Sequence, residues 1–92
     1  MTIDVCGVPF ELKETESNGR EDPSMGICDS KLAIIKINKE MPEPMKESVL
    51  IHEWLHGVLD SNGLGELSGK ENLVCVLQTE LYRNGFRIKV RR

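Results

Sequence analysis

Histidine is scarce in this chain: two residues in 92, His52 and His56, and any imidazole chemistry must use them. Cysteine is almost as rare. Cys6, Cys28 and Cys75 are an odd number without C-x-x-C spacing, so they read as reduced intracellular thiols rather than a disulfide framework. No apolar run approaches the length of a membrane span. The acidic start (Asp4, Glu11, Glu14, Glu16) lacks the basic and apolar regions of a signal peptide, and a cytoplasmic protein is expected. Basic residues are not in excess: 12 Lys and Arg against 15 Asp and Glu give a net charge of −3, with no general attraction for nucleic acid or anionic membrane. The basic run from Arg87 to Arg92 alternates with apolar residues and reads as a terminal strand, not a nucleic-acid tail. No repeat or second domain is marked. Residues 1–92 are expected to form one small domain, whose limited core a metal could usefully staple.

Against this background stands His52-Glu53-Trp54-Leu55-His56, a complete H-E-x-x-H containing both histidines. On a helix, positions i and i+4 project nearly the same way, so both imidazoles can reach one metal ion. Glu53 is turned aside by roughly 100°, which leaves it to hold a water rather than the ion. Two nitrogen ligands and a general base are the minimum equipment of a zinc hydrolase. The ordinary alternative is a solvated helix with two surface histidines. Val49, Leu50, Ile51, Trp54, Leu55, Val58 and Leu59 argue against it, because they make the segment apolar around much of its circumference. Such a helix has little reason to carry two titratable rings and a carboxylate unless they are ligated or paired. One zinc ion per chain is expected.

The rest of the chain reads as α+β: a small, mostly antiparallel sheet packed on the H-E-x-x-H helix and a second helix. Thr2 to Val5 and Val8 to Lys13 form two strands turning at Cys6-Gly7. Thr15 to Pro23 is polar and aperiodic, a mobile loop. Met25 to Cys28 and Lys31 to Asn38 form a second hairpin turning near Asp29-Ser30, with Ala33, Ile35 and Ile37 on one side. Pro42 and Pro44 introduce the first helix, about Met45 to Ser61, and Asn62-Gly63 stops it. Gly57, just after His56, is expected to let a backbone or a substrate approach closely. After a loop from Leu64 to Gly69, a second helix runs from about Lys70 to Asn84 with Leu73, Val74, Leu77 and Leu81 inward, and Phe86 to Val90 returns as a strand.

Zinc hydrolases need three protein ligands, and no third histidine exists. Glu71 is the leading candidate, because it opens the second helix and a short connection makes the two helices antiparallel neighbours. Val74, Cys75 and Gln78 continue its face. Glu66, Asp60 and Glu80 remain open as carboxylates, and Cys75 as a thiol.

The order of two hairpins, an H-E-x-x-H helix followed by a small residue, and a helix opening on glutamate resembles the minimal ImmA/IrrE-type zinc metallopeptidases, especially the compact phage and prophage proteins. The residues that carry the likeness are Lys36-Ile37-Asn38, Leu50 through Gly57, Glu71-Asn72-Leu73, and Leu81 through Gly85. The resemblance implies a minimal zincin-like fold, zinc held by His52, His56 and Glu71, Glu53 as base, and hydrolysis of an intracellular host or repressor-type protein. Larger members carry a helix-turn-helix or a sensing domain that this sequence lacks. Two functions therefore stand. One is a zinc endopeptidase whose strand Lys31 to Asn38, if it forms a sheet edge, would take up an extended substrate; for Tyr82 an ordinary packing or surface role is favoured over oxyanion stabilisation. The other is a non-catalytic, zinc-stabilised interaction module. The intact Glu53 favours catalysis.

Overall fold

The computed structural model describes residues 1–15 and 26–92. The loop expected from Thr15 to Pro23 lies outside the described residues except for Thr15, which ends a strand, and Met25 lies outside as well. The elements are β1 (Thr2–Val5), β2 (Val8–Thr15), β3 (Gly26–Asp29), β4 (Ile34–Asn38), α1 (Glu43–Ser61), α2 (Gly65–Ser68), α3 (Glu71–Arg83) and β5 (Val90–Arg91). The fold is α+β, as expected. No described helix is long and apolar enough to cross a membrane.

Both expected hairpins form. β1 and β2 pair antiparallel with Val5 opposite Val8, and Cys6 and Gly7 make the two-residue turn at φ 52° and 87°. β3 and β4 are joined through Ser30–Ala33, where Asp29 Oδ1 accepts from the amides of Lys31 and Leu32 at 3.0 and 3.1 Å. The sheet order is β3-β4-β2-β1-β5, and β4 lies parallel to β2. The sheet is therefore mixed, which corrects the mostly antiparallel expectation. Strand patterns identify a hairpin but not which of its strands docks. Here β4, with Ile35 and Ile37 at 0 and 2% exposure, takes the interior slot, and β3 is left at the edge. The condition that Lys31 to Asn38 forms a sheet edge is not met, because β4 lies between β3 and β2.

The inner sheet face is one apolar cluster: Ile3, Val5, Phe10, Leu12, Ile35 and Ile37. α1 lies across it and is covered from behind by α3, so Val49, Ile51, Glu53, Leu55 and Gly57 are all buried. Ile51 and Leu55 meet Val74 of α3 in a second cluster, flanked by Leu81, Tyr82 and Phe86. Leu77, expected inward, is 37% exposed, because only a narrow stripe of α3 faces α1. Both helices end alike. Leu64 and Phe86 donate back to the carbonyls of Leu59 and Leu81 (2.9 Å each), while Gly63 and Gly85 donate to Asp60 and Tyr82. Gly63 and Gly85 sit at φ 72° and 91°, completing the Schellman stops that the two Asn-Gly pairs foretold. The segment expected as loop between the helices contains the single turn α2. The expected Phe86-to-Val90 strand shortens to Val90–Arg91, paired with Ile3 and Thr2, because Phe86 is used in the helix stop and packs 5.5 Å from Trp54.

Edge strand β3 approaches α1 very closely. A Cβ on Gly26 would lie 3.0 Å from the Lys36 carbonyl oxygen and 3.1 Å from both Glu53 Cγ and Val49 Cγ1. The carbonyl belongs to the paired strand and cannot retreat. Gly26→Ala is accordingly expected to lower stability by about 1–3 kcal/mol, the usual range for overpacking, measured by chemical denaturation. A neutral result would show that β3 sits further from the helix.

Candidate metal centre

His52 and His56 leave α1 on the face turned toward α3. The Asn62-Gly63 stop and the single turn of α2 reverse the chain within a few residues, which brings Glu71, the first residue of α3, over them. His52 Nε2 and His56 Nε2 lie 3.2 Å apart, and Glu71 Oε1 lies 3.2 Å from each. Three ligand atoms bonded to zinc at 2.0–2.1 Å in tetrahedral directions lie roughly 3.3–3.4 Å from one another. The near-equilateral triangle is therefore the right size for such an ion, and two imidazoles with one carboxylate are a donor set that zinc accepts. Among the described residues this is the one group of three or more His, Cys, Asp or Glu side chains placed to share an ion.

The other candidates lie elsewhere or outside the triangle. Asp60 accepts from Ser30 Oγ at 3.1 Å on the sheet side. Glu80 pairs with Arg83 at 3.3 Å, and Glu66 is exposed on α2. Cys75 lines the cleft beside the triangle without joining it. Tyr82 does not line that cleft; its ring lies beneath the Arg87 guanidinium, 3.9 Å from the centroid, so the structure does not support it as an oxyanion donor.

Glu53 lines the same cleft, of about 300 Å³, together with the triangle and Gly26. Its environment is the reverse of that of Glu71. The Glu71 side chain is 63% exposed, whereas Glu53 is 6% exposed between α1 and β3. Burial pushes the Glu53 carboxyl up to about 7, with His52 pulling it down and the charge of Glu71 adding to the rise. Gly57 does not open space for water or substrate there. A Cβ on it would meet Val5 Cγ1 at 3.1 Å and Cys28 Sγ at 3.3 Å, so its role is to seat α1 on the sheet.

The groups behind the histidines are only faintly legible in the sequence. His52 Nδ1 lies 2.8 Å from Gln78 Oε1, and Gln78 Nε2 donates to Ser48 Oγ at 2.8 Å. His56 Nδ1 lies 2.8 Å from Ser68 Oγ, and Ser68 is buried. Gln78 shares the α3 face of Glu71, seven residues on, which was the available signal. Ser68 offered none, because it stands on a turn that the sequence did not announce.

Two measurements follow from this geometry. Glu71→Ala should weaken zinc binding far more than Glu66→Ala or Glu80→Ala, since it removes one of three anchors while the others touch none. Equal zinc affinities across the three variants in a chelator competition would remove Glu71 from the site. In the metal-free protein, Glu53→Gln should become stabilising as pH rises. The raised carboxyl favours folding while it is protonated, fully below about 4.5, and that contribution disappears as pH passes about 7. The gain over the native chain should approach about 3 kcal/mol at high pH, from 1.36 kcal/mol per pH unit, and vanish at pH 4. A gain independent of pH would mean that Glu53 is not held in a desolvating environment.

No family model, curated protein or solved structure matches the chain, so the chemistry of the centre rests on its own geometry.

Proposed function

We propose that this protein is a zinc-dependent endopeptidase acting on an intracellular protein of the host or repressor type. The observation that carries the reading is the placement of Glu53, a buried carboxylate in the same cleft as the His52–His56–Glu71 triangle but outside it. A closed structural site takes four protein ligands and has no use for such a neighbour, whereas a hydrolytic site takes three and needs a base beside them. His52, His56 and Glu71 would hold a zinc ion, whose Lewis acidity would polarise a water and the scissile carbonyl. Glu53 takes the proton of the attacking water and delivers it to the departing amine. Its burial between α1 and β3 fixes the carboxylate and keeps bulk solvent from competing for the proton.

Edge strand β3, in place of β4, supports substrate alignment. Gly26 at its start lines the cleft, and an extended peptide added along the β3 edge, unpaired among the described residues, would run past the triangle, held by main-chain hydrogen bonds. Glu53→Gln tests the proposal: zinc content should stay near one ion per chain while cleavage of a denatured model protein and of candidate host proteins falls by roughly 10²–10⁴-fold. Loss of zinc in that variant would put Glu53 among the ligands. Undiminished function in a zinc-replete Gln variant would replace the enzyme with a zinc-stabilised binding module.

A further inference from the structure

We infer that Gln78 and Ser68 are positioning residues that hold both imidazoles as Nδ1–H tautomers before any metal arrives. The inference rests on the zinc part of the proposed function and adds to it the residues that prepare the ligands. An imidazole presents a lone pair on one nitrogen only when its proton is kept on the other. At His52 the argument runs through three side chains. The Gln78 amide donates from Nε2 to Ser48 Oγ, which leaves Oε1, an acceptor only, 2.8 Å from His52 Nδ1. That nitrogen therefore donates, and Nε2 turns its lone pair toward His56 and Glu71. At His56 the Ser68 hydroxyl lies 2.8 Å from Nδ1 and, able to donate or accept, is assigned the acceptor's part. With the proton on Nδ1 of each ring, both Nε2 lone pairs face the Glu71 carboxylate.

The two props come from different places. Ser48 and His52 are one helical turn apart on α1, and Gln78 reaches them from α3, so one chain of bonds both docks the helices and sets a tautomer. Ser68 belongs to α2, which gives that single turn a chemical purpose. Both acceptors are neutral, so neither adds charge to a site that already holds Glu71 and Glu53. Replacing such outer partners ordinarily weakens metal binding by roughly 10–100-fold.

The experiment uses the full chain and needs no peptide substrate. Zinc affinity is measured by chelator competition for the native protein, Gln78→Leu, Ser68→Ala and the acceptor-retaining variants Gln78→Glu and Ser68→Thr. Imidazole ¹⁵N spectra of the metal-free native chain and Gln78→Leu give the tautomers directly. We expect the native protein to show Nδ1–H at both histidines, with a mixture at His52 in Gln78→Leu. Gln78→Leu and Ser68→Ala should bind zinc roughly 10–100-fold more weakly, with Gln78→Glu and Ser68→Thr much closer to native. A native protein carrying Nε2–H at His52, the result of a flipped Gln78 amide, overturns the inference. So does native zinc affinity in Gln78→Leu. A native chain that takes up no zinc at all fails the metal reading itself, which separates the two failures.

Discussion

Burial of α1 on two sides is the constraint from which the remaining features descend. The helix must present apolar surface to the sheet through Leu50, Trp54 and Val58, and to α3 through Ile51 and Leu55. A helix enclosed in this way has little wall left for polar groups. The two histidines occupy the seam where α3 meets α1, and Glu53 occupies the seam where β3 meets α1. The site is thus the meeting line of three elements, and the fold cannot be assembled without bringing its parts together. The glycines at 26 and 57 follow from the same constraint, since each stands where a side chain would push α1 off the sheet.

Two glutamates illustrate how position, not residue type, assigns chemistry. Glu71 stands at the start of a helix with its carboxylate mostly in water, where an anion is favoured by the exposed amides and the helix dipole. Its side chain is placed to reach both imidazoles. Glu53 lies in the middle of a helix and under a strand, where desolvation favours the neutral acid. A carboxyl held near neutrality can both accept and return a proton, which is the requirement for general base and acid in one group. A cation in the triangle would shift that balance toward the ionised form by direct attraction.

Much of this was legible in the sequence, for reasons that can be stated. H-E-x-x-H fixes its own geometry through the helical repeat, so His52 and His56 needed no tertiary knowledge. The helix stops were readable because left-handed backbone after Asn is an almost local property of Gly63 and Gly85. Glu71 was reachable because a short connection forces antiparallel neighbours. What escaped was set by long-range choices. Nothing local says whether β3 or β4 sits beside β2, and that single choice determines both the parallel pairing and the free edge. The place of Gly57 after His56 does not tell whether the close approach it allows is made by a substrate or by the sheet. The helical repeat turns it from the α3 side to the sheet, against Val5 and Cys28. Leu77 was assigned inward by periodicity, although the contact stripe on α3 is too narrow to include it.

The pairing of β1 with β5 brings residues from opposite ends of the chain together, Ile3 with Val90. The His52–His56–Glu71 triangle, by contrast, is gathered within one helical reversal. Closing the longer loop costs roughly 1.3 kcal/mol more in chain entropy, from the logarithmic dependence on loop length. The sheet's terminal ladder has only two residue pairs to set against that cost. The candidate metal seam is thus drawn from near neighbours along the chain, while the far sheet edge depends on a distant closure.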